Sequence, residues 1–155
     1  MERSVIELES MHCGGLMLET RIEKLCAEKN MRMTTQRRVI ARVLTVAQDH
    51  PDVEEVHRRA VEVDSSVSIA TVYRTVRLFE EAGILERHDF GDGRSRYEEA
   101  TDDHHDHLIN IKTGEVVEFT NTEIEVLQER IAKEHGLKLV DHKLELYGIP
   151  LKAED

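Results

Sequence analysis

Apolar residues recur at three- and four-residue spacing through the first half of the chain, as they do in helices with one buried face. The segment 21–47 shows this spacing twice, which predicts two helices divided by the threonine pair at 34–35. Asp52 is suited to cap a third helix and Ser68 a fourth, after which Gly83 supplies a left-handed stop. The pattern therefore predicts four helices before residue 84.

A hairpin follows the fourth predicted helix. Residues 84–90 and 94–98 have the composition of strands, and the Gly-Asp-Gly sequence at 91–93 between them is a strong turn signal. The third and fourth helices are joined by the short segment 64–67, which is the outline of a helix-turn-helix. A hairpin placed directly after such a pair is a wing, so the first half is predicted to be a winged helix.

The second half is predicted to be a smaller unit of three strands and one helix. Residues 107–111 and 115–119 indicate a second hairpin, residues 122–135 an amphipathic helix, and residues 137–147 a last strand. So small a unit has little core and exposes strand edges, which favours pairing with a second copy of the chain.

These elements predict an α+β protein with two domains. We expect an uninformative leader over 1–17, a winged-helix DNA-binding domain over 18–100 and an α/β dimerisation and metal-binding domain over 101–155. The acidic density also changes near this boundary: 15 basic and 19 acidic residues precede residue 100, against 6 and 13 from there on.

Charge limits the kind of nucleic-acid contact that the chain can make. Its 155 residues hold 21 Lys+Arg and 32 Asp+Glu, for a net charge of −11, so it is not a general polyanion binder. Basic residues are nevertheless concentrated at the start of the second helix, over 29–42, on the fourth helix, over 65–79, and on the wing, at Arg94 and Arg96. These are the places where a winged helix contacts a duplex, which favours DNA binding over a merely solvated surface.

On the fourth helix, Thr71, Tyr73 and Arg74 lie near the N-terminal end and off the buried stripe, where polar groups reach base edges or phosphates. The Tyr73 ring has the alternative of covering the core.

Candidate metal chemistry centres on the sequence His104-His105-Asp106-His107. In an extended chain, His105 and His107 point to one side and His104 and Asp106 to the other, so one segment can serve two metal sites. Further donors follow the predicted elements: His50, Glu98, Glu118, Glu125 and His142. Imidazole and carboxylate without thiolate suit Fe(II), Mn(II), Co(II) or Zn(II) at more than four coordinates. The alternative is an exposed histidine-rich loop without metal.

Other classes of protein fit less well. His-x-His beside an aspartate also occurs in metallohydrolases, but the helix-turn-helix outline and the short chain argue against an enzyme. Cys13 and Cys26 lack CxxC spacing, which favours a reducing cytoplasm, and no apolar stretch reaches the length of a membrane span. His57, His88 and His135 are interpreted as ordinary surface or core histidines.

The segment 70–76, Ala-Thr-Val-Tyr-Arg-Thr-Val, together with the histidine cluster at 104–107, resembles the ferric uptake regulator (Fur) family. The resemblance extends from about residue 21 to 150. It implies a cytoplasmic homodimeric repressor that binds palindromic operator DNA when loaded with divalent metal and controls metal uptake genes. Fe(II) is the first expectation, with Mn(II) or Zn(II) as substitutes, and a manganese-responsive regulator is the alternative.

The resemblance also implies roles for individual residues. The regulatory metal set corresponds to His50, Glu98, His105, His107 and Glu118. A second metal set corresponds to His104, Asp106, Glu125 and His142. The DNA-binding residues correspond to Tyr73 and Arg74 on the recognition helix and to Arg32 for the minor groove.

One departure from the family changes the metal expectation. Many members carry a CxxC after the histidine cluster, whereas Asn110 and Thr113 stand there in this chain, and no cysteine follows Cys26. A structural zinc held by four cysteines is therefore not expected. Glu98 and Glu118 resemble iron or manganese sensors more than peroxide sensors. A purely structural role for the metal is a further alternative.

Overall fold

A computed structural model describes residues 18–152, and the expected leader over 1–17 lies outside the described residues. The chain divides into two compact units, with the division between Ala100 and Thr101.

The first unit contains four helices followed by a two-stranded antiparallel sheet. The elements are α1 (Arg21–Glu28), α2 (Thr35–Val46), α3 (Val53–Val63), α4 (Ile69–Glu81), β1 (Leu85–Asp89) and β2 (Ser95–Glu99). This is the winged-helix order that the hydrophobic spacing predicts.

Side-chain caps fix where these helices begin. The Thr34 hydroxyl accepts the Arg37 backbone N–H, the Asp52 carboxylate accepts that of Glu55, and the Ser68 hydroxyl accepts that of Thr71. Each cap satisfies one of the backbone donors that the first helical turn leaves unpaired. After α4, Gly83 adopts φ +72°, a left-handed conformation that glycine reaches without steric cost.

The core of the first unit lies between the four helices and the base of the wing. On α4, Val72, Val76 and Phe79 form one fully buried stripe, and Ile40 of α2 and Ile84 join the same cluster. The buried stripe fixes the rotation of α4, so its opposite side, which carries Tyr73 and Arg74, faces solvent.

Arg96, on β2, has a structural role in place of the DNA contact expected of it. It is buried, and its guanidinium donates from Nε to the His50 carbonyl and from Nη2 to the Asp49 carbonyl, each at 2.7 Å. The same group lies over the Phe90 ring, 5.6 Å from its centroid. The wing is thereby tied to the loop between α2 and α3, where His50 has a φ of +51°.

The second unit is a three-stranded sheet with one helix. Its elements are β3 (Asp106–Asn110), β4 (Val116–Phe119), α5 (Thr122–Glu134) and β5 (Glu145–Gly148). The central strand β3 is antiparallel to β4 and parallel to β5. The predicted last strand over 137–147 is too long, because a parallel strand needs a crossover connection and residues 137–144 provide part of it.

Much of the apolar surface of the second unit is solvent-exposed. Among its described residues, Ile109 is the single buried apolar side chain, and α5 buries none. Several large apolar side chains are 40–61% exposed: Leu108, Val117, Val126, Leu127, Ile131, Leu146 and Ile149. The hydrophobic core of this unit is therefore very small for its length.

The two hydrogen bonds from Arg96 to the carbonyls of Asp49 and His50 form a clamp between the wing and the loop. The two wing arginines, Arg94 and Arg96, make a matched pair for testing this clamp. We expect Arg96→Ala to lower the free energy of unfolding by about 3 kcal/mol, because two charge-assisted hydrogen bonds from a buried guanidinium to backbone carbonyls are lost. Arg94→Ala removes ion pairs that are half exposed and should cost less than about 1 kcal/mol. Urea unfolding followed by circular dichroism measures both, and equal losses would contradict the clamp.

Candidate metal centre

Two predicted ligands meet inside the first unit. His50 is 3% exposed, and its Nε2 lies 2.8 Å from Oε2 of Glu98 on β2. The Arg96 clamp holds the backbone of His50, while the β1–β2 ladder holds that of Glu98. The pair offers one imidazole nitrogen and one carboxylate oxygen, a mixture that suits first-row divalent metals.

His88 joins this group, although its sequence context suggested an ordinary strand histidine. Its Nε2 lies 2.5 Å from Oε1 of Glu98, and its ring stacks on Phe90 at 5.3 Å. The hairpin register explains the contact: Glu86 is directly opposite Glu98, and His88 is two residues along the same face of β1. The alternation Glu86-x-His88, set against Glu98 across a short hairpin, is the signal that could have found it.

The other three residues of the predicted regulatory set are neighbours in the second unit. His105 Nε2 lies 3.7 Å from Oε1 of Glu118, and the His105 and His107 rings have centroids 5.0 Å apart. His107 pairs directly with Glu118 across the β3–β4 ladder. His105 and His107 thus lie on one side of the segment, as the alternation predicts.

A separate cluster joins His104, Asp106 and His142. The Nε2 atoms of the two histidines lie 2.7 Å apart, and each lies 3.2–3.3 Å from Oδ1 of Asp106. Asp106 is 1% exposed, and its buried Oδ2 has no hydrogen-bond partner among the described residues. Two imidazole nitrogens this close beside a buried carboxylate need a proton or a cation between them, so the donor set fits a divalent metal.

The other two expectations about this cluster come out differently. His142 lies in the connection before β5, since that strand begins only at Glu145, and not in the last strand where the sequence pattern placed it. Glu125 lies half-buried in the first turn of α5, outside the group of three whose ligand atoms are within 4.8 Å of one another. Its role as a ligand stays a prediction.

The predicted DNA-contacting residues lie on the surface of the first unit. Tyr73 is 55% exposed, which excludes the alternative that its ring covers the core. Arg74 and Arg32 are exposed, and neither side chain forms an ion pair within residues 18–152. The Thr71 hydroxyl is already engaged, at 3.0 Å from that of Ser68.

Other members of the basic clusters are neutralised by acids of the same unit. Arg38 and Arg42, on α2, each lie 3.5 Å from Oε1 of the buried Glu23. On the wing, Arg94 pairs with Asp92 and Asp52. Hydrogen bonds from Arg94 help hold the pKa of Asp92 below its usual range against a partial desolvation that raises it. Fewer unpaired cations therefore face solvent than the sequence suggests. Arg32 and Arg74 are two of those that do.

A sequence profile of the Ferric uptake regulator family matches residues 28–147, which is most of the chain. The chain belongs to this family. Fur-family membership makes it a metal-dependent transcriptional repressor with an N-terminal winged helix and a C-terminal dimerisation domain, as the histidine cluster and the helix-turn-helix predict. The family consists of transcriptional regulators.

Known relatives of the chain include ferric uptake regulation proteins of other bacteria. The chain is 68% identical over 134 residues to the ferric uptake regulation protein of Rhizobium leguminosarum bv. viciae, covering 86% of this chain and 94% of the relative. It is 50% identical over 123 residues to that of Brucella suis biovar 1, covering 79% and 87%.

Solved structures show the same fold. A zinc-bound manganese uptake regulator is 67% identical with a TM-score of 0.76, covering 84% of this chain and 98% of that one. The ferric uptake regulator of Vibrio cholerae is 35% identical with a TM-score of 0.74, covering 82% and 98%.

Within residues 18–152, no helix is long and apolar enough to cross a membrane.

Removing one imidazole from the cluster of His104, Asp106 and His142 should lower the metal content of the protein. After dialysis against Zn(II)-free buffer, we expect the native protein to retain one Zn(II) ion per chain more than the His104→Ala variant retains. Elemental analysis measures this difference. His135, at the C-terminal end of α5, is the matched control, because it bonds to a backbone carbonyl and belongs to none of the ligand groups. If His104→Ala keeps the full metal content, the cluster is not a metal site.

Proposed function

We propose that this Fur-family protein acts as a cytoplasmic homodimer that binds palindromic operator DNA when loaded with Mn(II) or Fe(II), and so controls metal uptake genes. The observation that carries the proposal is the pairing of imidazole with carboxylate in each unit: His50 with Glu98 in the winged helix, and His105 with Glu118 beside the sheet. The resemblance to the family suggests that these residues and His107 bind one cation together.

Iron and manganese are the two metals that we propose as candidates. Two solved relatives at 67% and 66% identity are named manganese uptake regulators, whereas solved ferric uptake regulators are 26–36% identical. The R. leguminosarum relative, at 68%, is named for iron. Imidazole and carboxylate ligands suit both metals. The names of the relatives and the types of ligand therefore support both manganese and iron.

The exposed apolar surface of the second unit supports the homodimer. Leu127 and Ile131 lie on one stripe of α5, and Leu108 and Leu146 lie side by side on β3 and β5. Covering such side chains with those of a second copy would remove them from water, at about 25 cal/mol for each Å² of apolar area buried. A two-fold dimer also matches the two half-sites of a palindrome.

The proposed switch works through the two carboxylates of the regulatory set. Glu98 and Glu118 both present carboxylates, and repulsion between two carboxylates opposes their approach unless a positive charge lies between them. A bound divalent cation supplies that charge and fixed ligand directions. His50 and Glu98 then hold the winged helix to the ligands of the second unit, which favours one arrangement of the dimer on DNA.

Thermodynamic linkage gives the first test of the switch. Mn(II) or Fe(II) should tighten binding of a labelled palindromic duplex, measured by fluorescence anisotropy, and operator DNA should tighten metal binding by the same factor. The His105→Ala/His107→Ala variant should lose this dependence, and the ratio of the two metal effects ranks manganese against iron.

The control for that test is the folded state of the metal-free protein. Circular dichroism and light scattering show whether chelation melts the second unit or leaves a folded dimer. A metal whose role is purely structural predicts melting, while the regulator predicts a folded dimer with weak operator affinity. Equal metal affinity with and without operator would refute the switch.

A pair of arginines on the recognition helix α4 tests the DNA contact. Arg74 makes no ion pair within the described chain, whereas Arg77, one turn on, pairs with Glu81 at 2.9 Å. We expect Arg74→Ala to weaken operator binding by about tenfold or more, and Arg77→Ala by less than about threefold. Anisotropy titrations of the metal-loaded variants measure both values. A larger loss at Arg77 would move the proposed contact along the helix.

A further inference from the structure

The wing hairpin carries three metal-binding side chains on one face. Glu86 and His88 are two residues apart on β1, and Glu98 lies opposite Glu86 on β2. His88 Nε2 lies 2.5 Å from Oε1 of Glu98 and 3.7 Å from Oε2 of Glu86. One ligand atom from each residue falls within 4.8 Å of the other two, a spacing that one divalent cation can bridge.

His50 adds a fourth donor from the adjacent loop. Its Nε2 lies 2.8 Å from the second oxygen of Glu98, so the carboxylate is flanked by an imidazole at each oxygen. His50 and His88 also both pack against the Phe90 ring, His50 edge-on at 5.9 Å and His88 face-on at 5.3 Å. Aromatic packing on two imidazoles limits their rotation, which is what a preorganised ligand set requires.

Burial differs across the group in a way that suits a metal. The side chains of His50, His88 and Glu98 are 2%, 8% and 12% exposed, whereas that of Glu86 is 54% exposed. A cation held here has three shielded donors and one side open to solvent, through which water can complete its coordination.

We propose that Glu86, His88 and Glu98, together with His50, form a divalent transition-metal site contained entirely in the winged-helix unit. The donors are two imidazole nitrogens and two carboxylate groups, the chemistry of Mn(II), Fe(II), Co(II) and Zn(II). This site takes no ligand from the second unit. Neither Glu86 nor His88 belongs to the regulatory set of the proposed function.

The hairpin site has a consequence for the regulatory set, because both use His50 and Glu98. A cation bound to the hairpin site takes His50 and Glu98 as ligands. These two residues are then not available to a cation bound by His105, His107 and Glu118. Metal binding at the hairpin therefore competes with metal binding by the regulatory set. The hairpin site can also be the first place where a cation binds, before the ligands of the second unit take part.

The test separates the hairpin from every histidine of the second unit's metal sets. A full-length chain carrying His104→Ala, His105→Ala, His107→Ala and His142→Ala is titrated with Co(II), whose visible absorption reports ligand number and type. We expect one Co(II) per chain to bind. Adding Glu86→Gln should weaken this binding by about tenfold, and adding His88→Ala by about a hundredfold. Glu81→Gln and His57→Ala, in the same unit but outside the cluster, should leave it unchanged.

The outcomes decide between the hairpin and the other sites. Glu86 is exposed, so Glu86→Gln gives an answer even if the buried His88→Ala variant fails to fold by circular dichroism. The hairpin site is overturned if the chain with the four histidine-to-alanine substitutions binds no Co(II). It is also overturned if that chain binds Co(II) with an affinity that neither Glu86→Gln nor His88→Ala changes. The metal-regulator proposal is tested separately, by metal-dependent operator binding of the native chain.

Discussion

The Glu98 carboxylate is the point on which the winged-helix half of the molecule depends. Its two oxygens face His50 and His88, which come from a loop and from the neighbouring strand. A partly buried carboxylate with this many close partners fixes the positions of both imidazoles and is fixed by them. The loop after α2, the wing and the candidate ligands are therefore parts of one polar cluster.

Arg96 shows how a charge that looks suited to DNA serves the interior of the fold. Its guanidinium satisfies two backbone carbonyls in the loop where His50 adopts a left-handed conformation. Burial lowers the pKa of Arg96, yet an arginine stays charged over the physiological range. The loop thus contains a permanent cation close to the metal-binding residues, and the surface charge of the wing is smaller than its sequence suggests.

Element order was predictable from the sequence because caps, spacing and turns act locally. Thr34, Asp52 and Ser68 cap the helices as their residue types predict. The errors arise where distant pairing decides. The last strand is short because β5 must run parallel to β3, and His88 meets Glu98 only through hairpin register. Neither constraint is visible in a window of neighbouring residues.

The cluster of His104, Asp106 and His142 brings together residues 38 positions apart along the chain. A cation bound by these side chains would link the two ends of that segment in the folded unit and would dissociate when the unit unfolds, so its binding free energy would add directly to the free energy of unfolding. Such a link needs no cysteine, because the crossover connection before β5 contributes His142 as a ligand.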